Sequence, residues 1–225
     1  MVHNEYLAYF NGRSSCVAST IINAVLAIVT PVLWLMPYVG DGDAKRLTVH
    51  GLRSLKYFTV LSNLLSATAS LLYVLVSAAG HGVLPVWVLV LKLVATSAVT
   101  LTLMTVLVLL GPQFGWKSMF EGTSLWMHLL SPLLAIVDCV LFVPVGTLPF
   151  GATFAAAAPC VLYGIWYLMQ ILRHDVQEGD KTYDFYGFLR WGRGRIPLVM
   201  CGMFAGSWVL GLALWLGSRA LCLVA

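Results

Sequence analysis

The sequence predicts an all-α fold: a single bundle of six transmembrane helices that takes up the whole chain of 225 residues. Hydrophobic residues make up 60% of the chain and charged residues only 10%, whereas a soluble domain typically carries about 25% charged residues. The charged residues also leave apolar runs of the ~20 residues that a helix needs to cross a bilayer. A polytopic membrane protein is therefore expected, and the net charge of +4 reflects its loops rather than a nucleic-acid-binding surface.

Proline, glycine and charged residues divide the chain into the six spans. Pro31 and Pro37 are expected to bend the first span or to end it late. Gly80 to Gly82 ends the second span, and Gly111-Pro112 is expected to stop the third. No repeat, linker or second domain is indicated. The predicted spans are residues 16–39, 57–79, 85–110, 124–143, 152–172 and 196–217.

The basic residues of the loops predict the orientation. The first, third and fifth loops carry four, one and five Lys or Arg residues, ten of the 13 in the chain. The two termini carry one each, the second and fourth loops none, and Lys92 lies inside a span. Because cytoplasmic loops are enriched in Lys and Arg, we expect both termini outside and the three charged loops in the cytoplasm.

A polar stripe opens the second span. Thr59, Ser62, Asn63 and Ser66 follow the spacing i, i+3, i+4 and i+7, so they share one face of the helix. Polar groups at membrane depth need partners in protein or water. The stripe therefore predicts either a contact that joins two helices or a buried site.

Lys92 and Asp138 are the charged residues inside spans. Both are expected ~10 Å below the outer face at ~1.5 Å per residue, on sequential antiparallel helices, so an ion pair between them is plausible. A buried bridge that fixes helix register, or a lysine that extends to the interface, is the ordinary interpretation. A clamp for a substrate carboxylate or a proton relay is the alternative.

His128 opens the fourth span and is expected at the same depth as Thr59. Each residue follows a cytoplasmic loop by three or four positions, which places both roughly 5–6 Å below the boundary. An imidazole can remove the proton of a threonine hydroxyl, and Asn63 and Ser62 could stabilise an oxyanion or position a substrate. Each residue alone also fits a structural hydrogen bond, either to the carbonyl at i−4 or between helices.

Two aromatic groups are also candidates. Tyr163, Tyr167 and Gln170 share a face of the fifth span; they could rim a head-group pocket, although such residues more often form an interfacial belt. The loop from Tyr183 to Arg195 mixes aromatic residues with arginines, as in segments that meet anionic lipid.

Cofactor signals are missing from the sequence. The five cysteines (Cys16, Cys139, Cys160, Cys201 and Cys222) form no CxxC pair and are interpreted as small hydrophobic residues. No P-loop, GxSxG or HExxH motif occurs, so neither a cofactor nor a metal is expected.

The run Lys56-Tyr-Phe-Thr59-Val-Leu-Ser62-Asn63-Leu-Leu65 resembles the K-Y-L-T-F-L-N-L signature of the androgen-induced membrane hydrolase family. These are multi-pass threonine hydrolases that cleave fatty acid esters of hydroxy fatty acids. His128, followed by a proline and ten positions later by Asp138, is the second matching element. The late Tyr183 to Gly194 loop looks like that of bacterial six-helix relatives. The resemblance implies Thr59 as the nucleophile, His128 as its base, and a bacterial plasma membrane.

The leading hypothesis is therefore a membrane-embedded hydrolase of fatty acid esters, with membrane lipids and a fatty acyl substrate as its partners. One alternative is a transporter or lipid-binding membrane protein without catalytic activity, in which the polar stripes line a cavity. Another is a structural bundle with tightly packed stripes. Hydrolysis requires the side chains of Thr59 and His128 within hydrogen-bonding reach, and transport favours a polar cavity that links Lys92 and Asp138 to the cytoplasmic half.

Overall fold

The computed structural model describes residues 17–36, 51–79, 84–180 and 182–224. Within them, six helices are long and apolar enough to cross a membrane, which confirms the predicted all-α bundle. The protein is thus an integral, multi-pass membrane protein. The helices are α1 (Val17–Leu35), α2 (Phe58–Ala79), α3 (Val86–Gln113), α4 (Thr123–Leu141), α5 (Phe150–Arg173) and α6 (Arg193–Leu221).

The observed helices match the predicted spans to within four residues at every end. α1 ends at Leu35, although its span was predicted to continue to residue 39. Pro31 lies inside α1 without ending it, whereas Pro37 and residues 38 and 39 lie outside the described residues. α2 ends at Ala79, and Gly80 to Gly82, predicted to end it, also lie outside them.

The prediction that Gly111-Pro112 stops the third helix is wrong. A π-helical turn, Val106–Leu110, precedes this pair, and the Gly111 N–H donates to the carbonyl of Val106 five residues back. Pro112 then takes the second position of a new α-helical segment, Gly111–Phe114, where its missing N–H costs little. The helix ends instead at Gly115, whose φ of +88° suits a residue without a Cβ.

α4 repeats this arrangement around His128. Its residues Trp126–Leu130 form a second π-helical turn, the Ser131 N–H donates to the Trp126 carbonyl, and Pro132 follows as the second residue of Ser131–Leu141. π-turns of this kind frequently occur at functional sites.

α3 is the most buried of the six helices and forms the centre of the bundle. It packs against α2, α4, α5 and α6. Small side chains allow close approach: a Cβ on Gly211 of α6 would overlap the Cβ of Ala156 in α5, and Ser97 of α3 donates a 3.1 Å hydrogen bond to the Ser207 carbonyl of α6. Such contacts are typical of membrane helices, which pack through small residues.

The described residues between α5 and α6, 174–180 and 182–192, fold over the ends of α2 and α5, and we call them the cap. Asp184 fixes it and is 4% exposed. Its carboxylate accepts hydrogen bonds from the N–H groups of Phe188 (2.7 Å) and Leu189 (2.9 Å) and from the hydroxyl of Tyr167 (2.7 Å). The cap therefore has a defined structure that is anchored to α5.

Candidate functional site

A cavity of about 120 Å³ lies beneath the cap, between α2, α3, α5 and α6. Its walls are mostly apolar and aromatic, and its polar groups are few. Gln113 and Arg190, which are both exposed, contribute to its lining, so its mouth lies between the end of α3 and the cap. Ligand sites commonly combine apolar walls with a small number of polar groups in this way.

The cap closes the cavity through tyrosines. The Phe58 N–H donates a 3.0 Å hydrogen bond to the Tyr186 hydroxyl, and the Tyr186 N–H donates a 3.1 Å bond to the Tyr167 hydroxyl. Burial raises the pKa of Tyr186 to about 12, against the opposing effect of the Phe58 N–H. Its phenol is therefore neutral at physiological pH.

Thr59 lies on the wall of this cavity. Its side chain is half-buried, and its hydroxyl has no hydrogen-bond partner in the described part of the chain. Its carbonyl, in contrast, accepts bonds from Ser62 Oγ (3.0 Å) and Asn63 Nδ2 (2.8 Å). Thr59 thus brings to the cavity wall a hydroxyl that no described residue binds.

Ser62 and Asn63 join α2 to its neighbours. The Ser62 hydroxyl shares a 2.9 Å hydrogen bond with that of Thr102 on α3. The second N–H of the Asn63 amide donates a 3.0 Å bond to the Met127 carbonyl in the π-turn of α4. Because both N–H groups of Asn63 bond to carbonyls, this side chain offers no further donor for an oxyanion. Its Oδ1 is buried and has no hydrogen-bond partner among the described residues, and the same holds for Ser131 Oγ.

His128 is not among the residues that line this cavity. Its Nδ1 lies 2.8 Å from the Met119 carbonyl; since a carbonyl only accepts, Nδ1 carries the proton and Nε2 is the basic nitrogen. The structure brings the two segments together through Asn63 and Met127, but no hydrogen bond joins Thr59 to His128, two residues that are both described.

Tyr163 and Tyr167 line the cavity and are buried. From the sequence, this face of α5 was expected to form either the rim of a head-group pocket or an interfacial aromatic belt, and the belt was the favoured interpretation. Their rings pack with Tyr186, at centroid distances of 6.4 Å for Tyr163 and 5.7 Å for Tyr167. Tyr186 of the cap therefore covers both tyrosines of α5.

A second opening, a groove of about 550 Å³, runs along the outside of α2 and α5. Leu61 and Leu162 line it and are exposed. Phe58 and Tyr163 line both the groove and the inner cavity. Their ring centroids lie 5.2 Å apart, so these two rings form part of the wall between the two spaces.

Lys92 and Asp138 lie together in a closed network within the bundle. Lys92 Nζ is 2.8 Å from Asp138 Oδ2, and the two side chains are 2% and 0% exposed. Lys92 also donates to Asn23 Oδ1 at 2.7 Å and to Ser70 Oγ at 3.4 Å, so each of its three protons has an acceptor. Neither charged residue lines the inner cavity or the groove.

The carboxylate of Asp138 is equally well satisfied. Oδ2 accepts a 2.8 Å bond from Asn23 Nδ2, and Oδ1 a 2.6 Å bond from Ser19 Oγ. The Ser19 hydroxyl, with one proton, accepts in turn from Tyr73 OH at 2.9 Å. The network joins α1 to α4, and sequence reasoning missed Ser19, Ser70 and Tyr73. A small polar residue in an apolar run, at the depth of Lys92, is the signal that could have found them.

Neither a metal site nor a known relative defines the function. Within residues 17–36, 51–79, 84–180 and 182–224, no group of three or more His, Cys, Asp or Glu side chains could hold a metal ion. Comparison with protein-family models, curated proteins and solved structures found no match to this chain.

Proposed function

We propose that the protein binds a single-chain anionic lipid, such as a fatty acid, with the polar end of the molecule in the cavity beneath the cap. The observation that carries this proposal is the composition of the cavity wall. Apolar and aromatic side chains line the cavity together with Thr59, whose hydroxyl has no partner among the described residues, and Gln113 and Arg190 provide donors at the mouth. A guanidinium is well suited to a carboxylate or phosphate.

The proposed orientation places this cavity at the cytoplasmic face, with both termini outside. The charged loops support this orientation. Lys56 at the start of α2 lies beside the cap, with its Nζ 5.0 Å from the centre of the Phe185 ring. The described end of the first loop at Lys56 and the cap therefore lie at the same end of the bundle, as is expected for loops rich in basic residues on the cytoplasmic side.

Photo-cross-linking with a fatty acid that carries a diazirine and an alkyne tests the binding proposal. After irradiation in lipid nanodiscs, we expect cross-links on residues of the cavity wall, including Met200 and Met203. Excess unmodified palmitate should compete for them. Labelling only of lipid-facing positions such as Leu75 and Val209, without competition, would contradict the proposal.

A second candidate function is hydrolysis of a fatty acid ester by the same cavity, as the family resemblance implies. Two observations favour it: no described residue binds the Thr59 hydroxyl, and the tautomer of His128 leaves Nε2 basic. Thr59 Oγ would attack the ester carbonyl, and His128 would take its proton and return it to the leaving alkoxide. Water would then release the acyl group. The dyad requires a movement that brings His128 to Thr59.

Labelling with a fluorophosphonate probe tests this second candidate. We expect labelling of the wild type, and its loss in Thr59→Ala and His128→Ala. Thr68→Ala is the matched control, because Thr68 lies on the exposed side of the same helix, where its hydroxyl bonds to the Leu64 carbonyl. Equal labelling of Thr59→Ala and Thr68→Ala would exclude Thr59 as the nucleophile while leaving lipid binding intact.

A further inference from the structure

We infer that the groove between α2 and α5 is the lateral entrance to the cavity and the seat of the lipid's hydrocarbon chain, with Phe58 and Tyr163 as its gate. This inference rests on the proposed lipid binding. It adds a second site, a route into the protein and the residues that control it.

The first argument is size. At about 120 Å³ the inner cavity is smaller than the roughly 300–1,000 Å³ of most ligand pockets, so it can hold only the polar end of a long lipid. The groove adds about 550 Å³. The two spaces together fall within the usual range, and the groove is the one that faces the bilayer.

The second argument is continuity. Phe58 and Tyr163 belong to the lining of both spaces, and no other described residue does. The Tyr163 hydroxyl donates a 2.7 Å hydrogen bond to the Lys56 carbonyl at the start of α2. A side-chain rotation that breaks this bond would join the groove to the cavity without moving a helix.

The third argument is charge. The groove wall is apolar except for Lys56, Ser62 and the Tyr163 hydroxyl, and Lys56 marks its cytoplasmic end. Among the described residues no carboxylate lies within ion-pair distance of Lys56, whose Nζ packs over the Tyr57 ring at 5.2 Å. An ammonium that has no carboxylate partner among the described residues, above an apolar groove, is complementary to an anionic head group on a hydrocarbon chain.

Fatty acids of different length distinguish binding in the groove from binding in the cavity. Octanoate should use mainly the cavity, whereas palmitate should also fill the groove. Leu61→Trp places a large ring in the groove, so palmitate affinity should fall about tenfold, with octanoate affinity changing less than twofold. Leu71→Trp, on an exposed position of the same helix away from the groove, should change neither.

Association rates test whether Tyr163 acts as a gate and whether Lys56 attracts the anionic head group. Tyr163→Phe keeps the ring but removes the bond to Lys56, so palmitate should associate severalfold faster with similar affinity. Lys56→Gln should slow association of palmitate but not of the uncharged palmityl alcohol. If palmitate binds the wild type, but Leu61→Trp has the affinity of the wild type and Tyr163→Phe its association rate, the groove is not the entrance. The proposed function would then still stand. If neither fatty acid binds the wild type, the proposed function itself fails.

Discussion

Tyr167 on α5 donates a 2.7 Å hydrogen bond to Asp184 in the cap, and its own hydroxyl accepts the N–H of Tyr186 at 3.1 Å. One phenol thus connects the carboxylate that fixes the cap to the tyrosine that closes the cavity. Tyr167 is 0% exposed, so this connection is shielded from water. The cavity beneath the cap depends on it.

Asp184→Ala should loosen the cap. The carboxylate accepts three hydrogen bonds, and each bond to a charged group contributes ~1.5–3 kcal/mol. Even the loss of one should raise the open population about tenfold, and trypsin should cleave after the exposed Arg190 correspondingly faster. Asp180→Ala is the control, because the Asp180 carboxylate accepts a local bond from the Thr182 N–H, and the substitution keeps the backbone carbonyl that accepts the Asp184 N–H. Equal cleavage of the two variants would show that Asp184 does not hold the cap.

The sequence predicted the six helices because an apolar run long enough to span a bilayer can satisfy its backbone hydrogen bonds there in few structures other than a helix. It could not predict the π-turn at Trp126–Leu130. The extra residue in that turn changes the direction of the His128 side chain relative to Ser131. Regular helical spacing therefore cannot predict which residues before and after the turn share one face of α4. The structure of the cap could not be predicted either. It depends on the hydrogen bond between Asp184 and Tyr167, and no local sequence pattern indicates a contact between residues so far apart in the chain.

Single substitutions of the buried ion pair should be destabilising. Lys92→Met or Asp138→Leu leaves one charge without its partner, at a cost of ~3–5 kcal/mol, whereas the double variant removes both charges and should recover much of that loss. Thermal unfolding in detergent measures all three. Because neither residue lines the cavity, the double variant should still bind palmitate. A double variant that folds well but no longer binds would favour a transport role for the pair.

Gly211→Ala should weaken the contact between α5 and α6. Its new Cβ would overlap Ala156 and come within 3.4 Å of Ser97 Oγ, so the helices must separate and the melting temperature should fall. Gly206→Ala on the same helix meets nothing within 4 Å and should be neutral or stabilising by up to ~1 kcal/mol. Similar melting temperatures for both variants would rule out close packing at Gly211.

The Tyr186 phenol should lose its proton only at high pH. Its pKa in the folded protein is about 12, against about 10 when unfolded. Its contribution to stability is therefore fully present below pH 10 and is lost as the pH rises from 10 to about 12. The difference in phenolate absorbance between the wild type and Tyr186→Phe should show one midpoint near pH 12, which moves to about 10 on denaturation. A midpoint near 10 in the folded protein would mean that the cap leaves this phenol in water.

Equilibrium binding of radiolabelled palmitate to the purified protein tests the central claim, that the cavity beneath the cap holds a lipid. Thr105→Phe fills the cavity from the wall of α3, and Met104→Phe, one residue earlier and exposed, does not line it. We expect saturable binding of about one palmitate to the wild type and to Met104→Phe, and a large loss in Thr105→Phe. No saturable binding to the wild type, or equal binding to all three proteins, would contradict it.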